Sequence, residues 1–215
     1  MKAAPLVLVA WATLVSAAHA DWSVGIEPRT GFRVLDAHLS DFRWDVGARP
    51  FAGADLTLRN ERWSLSVGAS RSATEQATGL GDVTATTVTL FEAGITLRAT
   101  VLRHGPVRLE LGAGGGRLRS SWAPEVLRTD VDGVPIDVRF DPVGTWTRSL
   151  DARVSVRLRP ALMLGLSAVA RRFELDTAHR SGSTIVESEE SFRSVDIGLF
   201  VRVVGWSSSN PETSP

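Results

Sequence analysis

The chain has 215 residues, no cysteine, and equal numbers of basic and acidic residues, 24 of each. The lack of cysteine excludes a disulfide-stapled secreted domain and any thiolate metal site. A formal charge of zero gives no sign of nucleic-acid binding or of a polybasic patch for a membrane surface, so no nucleic-acid partner is expected.

The N-terminus has the pattern of a targeting segment. Lys2 supplies a positive start, residues 5–15 form a short apolar run, and Ala18-His19-Ala20 is a small-x-small cleavage signal. These features predict a signal peptide over residues 1–20 that is cleaved near Ala20. The remaining chain suits one domain, predicted over residues 21–206. The tail 207–215 is rich in Ser and Pro, and it is predicted to be disordered.

Four strands are predicted in the first half of the chain, because apolar and polar residues alternate with a period of two. They cover about residues 22–34, 52–59, 63–70 and 86–102. Pro28 cannot donate to a strand ladder, so a bulge is expected there. A short turn at 60–62 joins the second and third strands, whereas polar loops are predicted at about 36–45 and 72–84.

Four more strands are predicted at about residues 107–113, 150–158, 162–171 and 194–203. The run Gly114-Gly115-Gly116 indicates a bulge after the fifth strand. The pair Arg171-Arg172 is predicted to disturb the alternation of the seventh strand before Phe173. Short turns follow at about 103–106 and 159–161, and long loops are predicted at about 123–145 and 176–190.

The connections between these eight strands alternate strictly between long and short. An even strand number, short turns at one end and long loops at the other are typical of barrels of the outer membrane. Strands of about ten residues, when tilted, are also what a bilayer requires. The predicted fold class is therefore all-β, an eight-stranded antiparallel up-and-down transmembrane β-barrel located in the cell outer membrane.

Alternation alone does not say which face lies inside, because a soluble lipocalin-like barrel would turn the apolar face inward. The polar faces carry both charge signs and many glycines and serines, which suit a narrow lumen where arginines and carboxylates can pair. The predicted structural ion pairs of the lumen involve Glu27, Arg29, Asp55, Arg59, Glu92, Arg98, Arg108, Glu110, Asp151, Arg153, Arg157, Asp196 and Arg202.

Six tryptophans lie at the ends of predicted strands. Those at the short-turn end are Trp22, Trp63 and Trp206, and those at the long-loop end are Trp44, Trp122 and Trp146. Rings of aromatic residues at both interfaces are expected of a membrane barrel. The six residues are therefore predicted to form an aromatic girdle.

The last strand reads Gly198-Leu199-Phe200-Val201-Arg202-Val203. A glycine followed by alternating outward apolar residues, here Leu199, Val201 and Val203, resembles the closing strand of the OmpA/OmpX type of small outer-membrane barrels. The resemblance covers about residues 22–206. It implies that the barrel-assembly machinery reads this strand and that the mature protein contacts outer-membrane lipid. It implies no cofactor.

Few residues suggest catalysis. His38 with Ser40, and His179 with Ser181, have the spacing of a base and a nucleophile on an extended strand, and Glu189 is a candidate acid for the second pair. Both pairs are predicted to lie in loops, where this spacing means little. Asp130, Asp132 and Asp137 are irregularly spaced, as in a solvated acidic loop, so no metal site and no catalytic residue is predicted.

The expected function is that of a non-enzymatic integral outer-membrane protein with a structural or surface-interaction role through its long loops. Three alternatives remain open at this stage. One is a lipid-modifying enzyme, acting by acyl transfer or deacylation, that uses His179 and Ser181 or His38 and Ser40. The others are a periplasmic lipocalin-like binding protein and a pore of low conductance. The surface ligand is not identified by the sequence.

Overall fold

The computed structural model describes residues 22–37, 42–45, 47–78, 86–131, 134–181 and 184–208. The predicted signal peptide, the pair His38 and Ser40, and the tail beyond residue 208 lie outside these ranges. Every regular element in the described residues is a β-strand. None of these residues forms a helix long and apolar enough to cross a membrane.

Eight long strands and three short ones make up the described part of the chain. They are β1 (Ser23–Ala37), β2 (Phe42–Trp44), β3 (Arg49–Arg59), β4 (Trp63–Thr78), β5 (Thr86–His104), β6 (Val107–Ala123), β7 (Val126–Val131), β8 (Val134–Arg139), β9 (Val143–Arg159), β10 (Leu162–Ser181) and β11 (Thr184–Ser207).

The eight long strands form a closed antiparallel barrel, which confirms the predicted fold class. Each long strand pairs with the next one along the chain, in the order β1, β3, β4, β5, β6, β9, β10 and β11. Pairing of β11 with β1 closes the ring, for example through Phe32 opposite Ile197. A closed barrel leaves no unpaired edge, so its backbone polar groups are satisfied without water.

The outside of the barrel is apolar over its middle. On β11, for example, the exposed residues are Val195, Ile197, Leu199 and Val203, each 45–61% accessible. The side chains between them, such as Asp196 and Arg202, are buried. Charged residues therefore fill the inside and apolar residues cover the outside, which excludes the lipocalin-like alternative because that fold requires the opposite arrangement.

The bulges do not occur where the sequence analysis expected them. Pro28 pairs with Ala54 without a register shift, and Gly116 pairs with Gly94 within an unbroken ladder. Register shifts occur instead between Val24 and Gly25, between Thr100 and Leu102, and between Leu162 and Met163. Towards β11 the ladder passes from Ile26 opposite Val203 to Arg29 opposite Phe200, so Pro28 costs that ladder a single donor. The glycines are needed for close packing, since a Cβ on Gly116 would lie 2.4 Å from the carbonyl oxygen of Ala93.

The alternation of β10 is also unbroken, contrary to the disturbance predicted at Arg171-Arg172. Arg171 is buried and Arg172 is exposed. Phe173 follows in phase, and it is buried too. Phe173 therefore points into the barrel. An apolar side chain fits there because apolar residues line this end of the lumen.

Two predicted loops contain strands. Residues 176–181 and 184–190 belong to β10 and β11, which stay paired until Ser181 lies opposite Thr184. The region 123–145 contains a separate hairpin of β7 and β8. Polar composition misled the prediction here, because a ribbon outside a bilayer has no need of an apolar face.

The C-terminal end of the barrel extends slightly beyond its predicted boundary. Strand β11 ends at Ser207, and the backbone N–H of Ser208 donates to the carbonyl oxygen of Trp22 at 2.8 Å. The first two residues of the predicted tail are therefore tied to the start of β1.

Candidate functional site: a closed, ion-paired lumen

Arg153 on β9 forms the centre of the lumen. Its guanidinium contacts Glu27 at 2.5 Å, Asp55 at 2.9 Å and Asp151 at 3.3 Å. Its Cζ also lies 5.0 Å from the ring centroid of Phe200, within the range of a cation–π contact. Because Glu27 and Asp55 come from β1 and β3, a single arginine ties together strands on different sides of the barrel.

A second cluster joins four strands, of which β1 also takes part in the first cluster. Asp196 on β11 accepts two hydrogen bonds from Arg33 on β1, at 2.8 and 2.9 Å. Arg171 on β10 contacts Asp196 at 2.6 Å and Glu92 on β5 at 2.7 Å. Bidentate pairing of this kind fixes geometry as well as charge. The cluster therefore holds the long-connection half of the lumen in one arrangement.

The third cluster lies towards the short turns and is richer in arginine. Arg59 contacts Glu110 at 2.6 Å, Arg108 reaches the carbonyl oxygen of Asn60 at 3.4 Å, and Arg202 is almost fully buried. Among the described residues, eight buried or nearly buried lumen arginines face six carboxylates. The described lumen thus carries two more positive than negative charges.

The structure places twelve of the thirteen predicted lumen residues inside the barrel. Arg157 is the exception and that prediction is wrong: it is exposed near the end of β9, where the lumen opens to solvent. Arg33 also belongs to the lumen, as its place on the polar face of the first strand predicts, and Arg171 belongs to it without having been predicted. Continuing the two-residue period of β10 past Val169 identifies Arg171 as an inward residue, so the signal was present in the sequence.

An apolar cluster closes the lumen at the long-connection end. It consists of Leu35, Trp44, Val88, Leu90, Leu118, Phe173, Leu175 and Phe192, with Trp122 and Val143 packed against it. The rings of Phe173 and Phe192 are stacked, with centroids 5.1 Å apart. Towards the long-connection end, the inner face therefore changes from charged to apolar. The outer face changes from apolar to polar in the same direction.

Two of the six predicted girdle residues face inward. The indole N–H groups of Trp44 and Trp122 both donate to the side-chain oxygen of Gln76, at 2.9 and 2.8 Å. Trp44 is only 4% accessible. A buried indole needs a hydrogen-bond acceptor, and Gln76 provides one for both.

The other girdle candidates lie at the barrel surface. Trp146 at the long-connection end and Trp63 and Trp206 at the short-turn end are exposed, and Trp22 is half-buried. In the proposed assembly segment, Leu199 and Val203 are exposed and Val201 is half-buried. Gly198 packs against the Thr30 backbone, where a Cβ would lie 2.6 Å from the carbonyl oxygen.

Little free space remains in the lumen. A cavity of about 30 Å³ lies among charged and small residues that include Arg29, Arg98 and Glu92. That volume is enough for one or two water molecules. Ion pairs and the apolar cluster occupy the rest of the described lumen, which predicts a packed interior without a continuous channel.

The candidate pair His179 and Ser181 lies in the paired part of β10. His179 lies on the strand opposite Val186, and Ser181 lies opposite Thr184, so the prediction of a loop is wrong. Glu189 pairs with Asp176, three residues along β10 from His179. At about 3.3 Å per residue, roughly 10 Å of backbone separates the two positions along the ribbon.

Among the acidic candidates of the β7–β8 hairpin, only Asp137 has a described side chain. Asp137 contacts Arg128 at 3.4 Å, and both side chains are exposed. Asp132 lies outside the described residues. No group of three or more His, Cys, Asp or Glu residues suited to a metal ion occurs in the part of the chain that the structure describes.

The protein is an integral outer-membrane β-barrel. A closed ring of eight strands pairs the backbone groups of the strands with one another. Its apolar exterior is stable only when lipid surrounds it. Charges lie inside the barrel and above and below the apolar belt, where a bilayer tolerates them.

Solved structures show the same fold. The chain is similar to neisserial surface protein A, with a TM-score of 0.53 and 15% identity, over 85% of this chain and 97% of that one. It is also similar to the outer-membrane protein AlkL, with a TM-score of 0.52 and 13% identity, over 90% of this chain and 93% of that one. No protein-family model and no curated protein matches the sequence.

A packed lumen predicts that the barrel does not conduct ions. Purified protein inserted into a planar bilayer in concentrated potassium chloride is expected to give no reproducible current steps, because the ion pairs leave room only for isolated waters. A porin added to the same bilayer shows that insertion and recording work. Steps whose size rises with salt concentration would contradict the packed interior.

Proposed function

We propose that this protein is a non-enzymatic outer-membrane barrel that makes surface contacts through the segments at its long-connection end. The observation that carries the proposal is the ribbon of β10 and β11. These strands stay paired for eight residues beyond Phe173, up to Ser181 opposite Thr184. At about 3.3 Å per residue, the paired ribbon extends roughly 25 Å along its strands beyond Phe173.

The lumen supports the same proposal because it is unsuited both to catalysis and to transport. Its carboxylates are held by arginines, so they are unsuited to acid–base chemistry, and its packing leaves no path for a solute. The projecting segments are then the part of the molecule on which contacts with other molecules depend. Outer-membrane barrels carry their longer connections on the cell exterior, so the ribbon faces the medium.

Trimming the ribbon tests the proposal. Residues 177–188 are replaced by Asn-Gly, a two-residue hairpin turn that fits the register of Asp176 opposite Glu189. The trimmed barrel should keep its heat-modifiable gel mobility, because all lumen ion pairs remain. Adhesion of cells to protein-coated and abiotic surfaces should fall to the level of cells without the protein.

Two controls make the result interpretable. Replacing Pro160-Ala161 by Asn-Gly introduces the same residues at a short turn on the opposite side, and adhesion should not change. The lipid profiles of cells carrying His38→Ala or His179→Ala should equal that of the wild type. An altered lipid profile would favour the lipid-modifying enzyme, and unchanged adhesion after trimming would count against the ribbon.

The closing strand and the exterior suggest two partners. Outer-membrane lipid surrounds the apolar belt, and the barrel-assembly machinery would read Gly198 together with the apolar residues that follow it. The exposure of Leu199 and Val203 on the outer face supports this role.

A further inference from the structure

Outward-facing arginines occupy one level of the barrel wall. Arg148 on β9 lies directly opposite Arg172 on β10, and Arg172 lies directly opposite Arg193 on β11. Arg117 on β6 is diagonal to Arg148, since it pairs with Trp146. All four are exposed. We call these residues, Arg117, Arg148, Arg172 and Arg193, the arginine row.

The row lies at the upper edge of the apolar belt. One layer below it, Leu150, Ala170 and Val195 form the corresponding cross-strand set, and Leu150 is 68% accessible. Trp146, 70% accessible, lies beside the row, with the Arg117 Cζ 5.2 Å from its ring centroid. Exposed tryptophan next to an apolar belt indicates the level of the lipid headgroups. The row therefore faces headgroups and not acyl chains.

The charges of the row are not balanced by the described acidic residues around it. Arg172 contacts Glu174 at 3.5 Å, with both side chains more than half exposed, and Asp36 lies opposite Arg193. Four arginines thus face two carboxylates. Like charges placed directly opposite each other on neighbouring strands are destabilising. An arrangement of this kind is favourable when an external anion bridges the guanidinium groups.

We propose that the arginine row binds the phosphate groups of lipid headgroups in the outer leaflet. Arginine suits this ligand because its planar fork can donate two hydrogen bonds to one phosphate. Adjacent strands about 4.8 Å apart let one phosphate meet guanidinium groups from two strands. The proposal rests on the orientation given under the proposed function, with the long connections outside. It does not depend on the ribbon making surface contacts.

The test compares lipid binding by matched variants. Wild-type protein, a row variant R148S/R172S/R193S and a control variant R62S/R103S/R159S are refolded in neutral detergent. The control removes the same charge from exposed positions at the short-turn end. Binding of bis-phosphorylated lipid A is measured by native mass spectrometry. Hydrogen bonds to charged groups contribute enough binding free energy that the row variant should bind this lipid at least about tenfold more weakly than the wild type.

Three further results decide between sources of the effect. Wild-type binding should fall as ionic strength rises, and free inorganic phosphate should compete only weakly because it lacks the acyl chains. Lipid A from which both phosphates have been removed should bind the wild type at least about tenfold more weakly. This last comparison needs no variant, so it holds even if the row variant fails to fold.

Equal affinity of the wild type for the phosphorylated and dephosphorylated lipid would overturn the proposal. So would equal affinity of the row variant and the wild type, or an equal loss in the row and control variants. The ribbon-trimming experiment contains no lipid measurement. Its failure is therefore distinguishable from failure of this proposal.

Discussion

The Arg153→Met variant is expected to lose about 3–5 kcal/mol of unfolding free energy, the cost of removing one partner from a buried ion pair. Methionine keeps most of the length of the side chain but none of its charge. Glu27, Asp55 and Asp151 would then remain buried without the cation that contacts all three. Urea unfolding of the refolded barrel in detergent micelles, followed by tryptophan fluorescence, measures the loss.

Arg128→Met is the matched control for this variant. Arg128 lies on the β7–β8 hairpin, where its pair with Asp137 is 76% and 60% exposed. A solvent-exposed pair contributes only about 0–1 kcal/mol. An unfolding midpoint of Arg153→Met equal to that of Arg128→Met would show that the centre of the lumen is hydrated and screened.

The Leu199→Arg variant is expected to be destabilised by about 2–4 kcal/mol in phospholipid vesicles, since arginine is costly on the lipid face at the midplane. Leu199 is the middle residue of the outward apolar set on β11, 52% accessible at the barrel surface. The same substitution near an interface should cost only about 0–1 kcal/mol, because there the guanidinium reaches water. Reversible unfolding in vesicles of defined thickness gives both values.

Ser191→Arg on the same strand is the comparison for the interface. Ser191 is exposed and lies beyond Arg193, above the apolar belt. A large cost at Leu199 and a small one at Ser191 would locate the bilayer on the outside of the barrel. Equal costs at the two positions would be inconsistent with a lipid-facing β11.

The middle of each strand was predictable from the sequence, and the ends were not. Glu27, Asp55 and Arg153 follow a strict two-residue period, and a shared face was enough to assign them to the lumen. Arg157 follows the same period, so its predicted direction is correct. It is exposed and not buried because it lies where the lumen opens. Parity predicts the direction of a side chain, whereas burial depends on what lies above it in the folded barrel.

The tryptophans show a different limit. Trp44 and Trp146 both occur near the long-connection end, and position along the chain could not separate them. Trp44 turns inward because Gln76 of another strand offers its indole an acceptor, and Trp146 stays outside beside Arg117. That choice depends on a partner more than thirty residues away in sequence.

The number of barrel strands, the alternation and the face that carries charge all follow from the order of amino acids, because they depend on a local period of two. Which charges meet depends on the closed barrel. Arg153 reaches Glu27 and Asp55 because closure of β11 on β1 brings distant strands across one narrow lumen. Closure likewise aligned Arg148, Arg172 and Arg193 at one level of the wall. Register between strands is a property of the closed ring, and no single strand contains it.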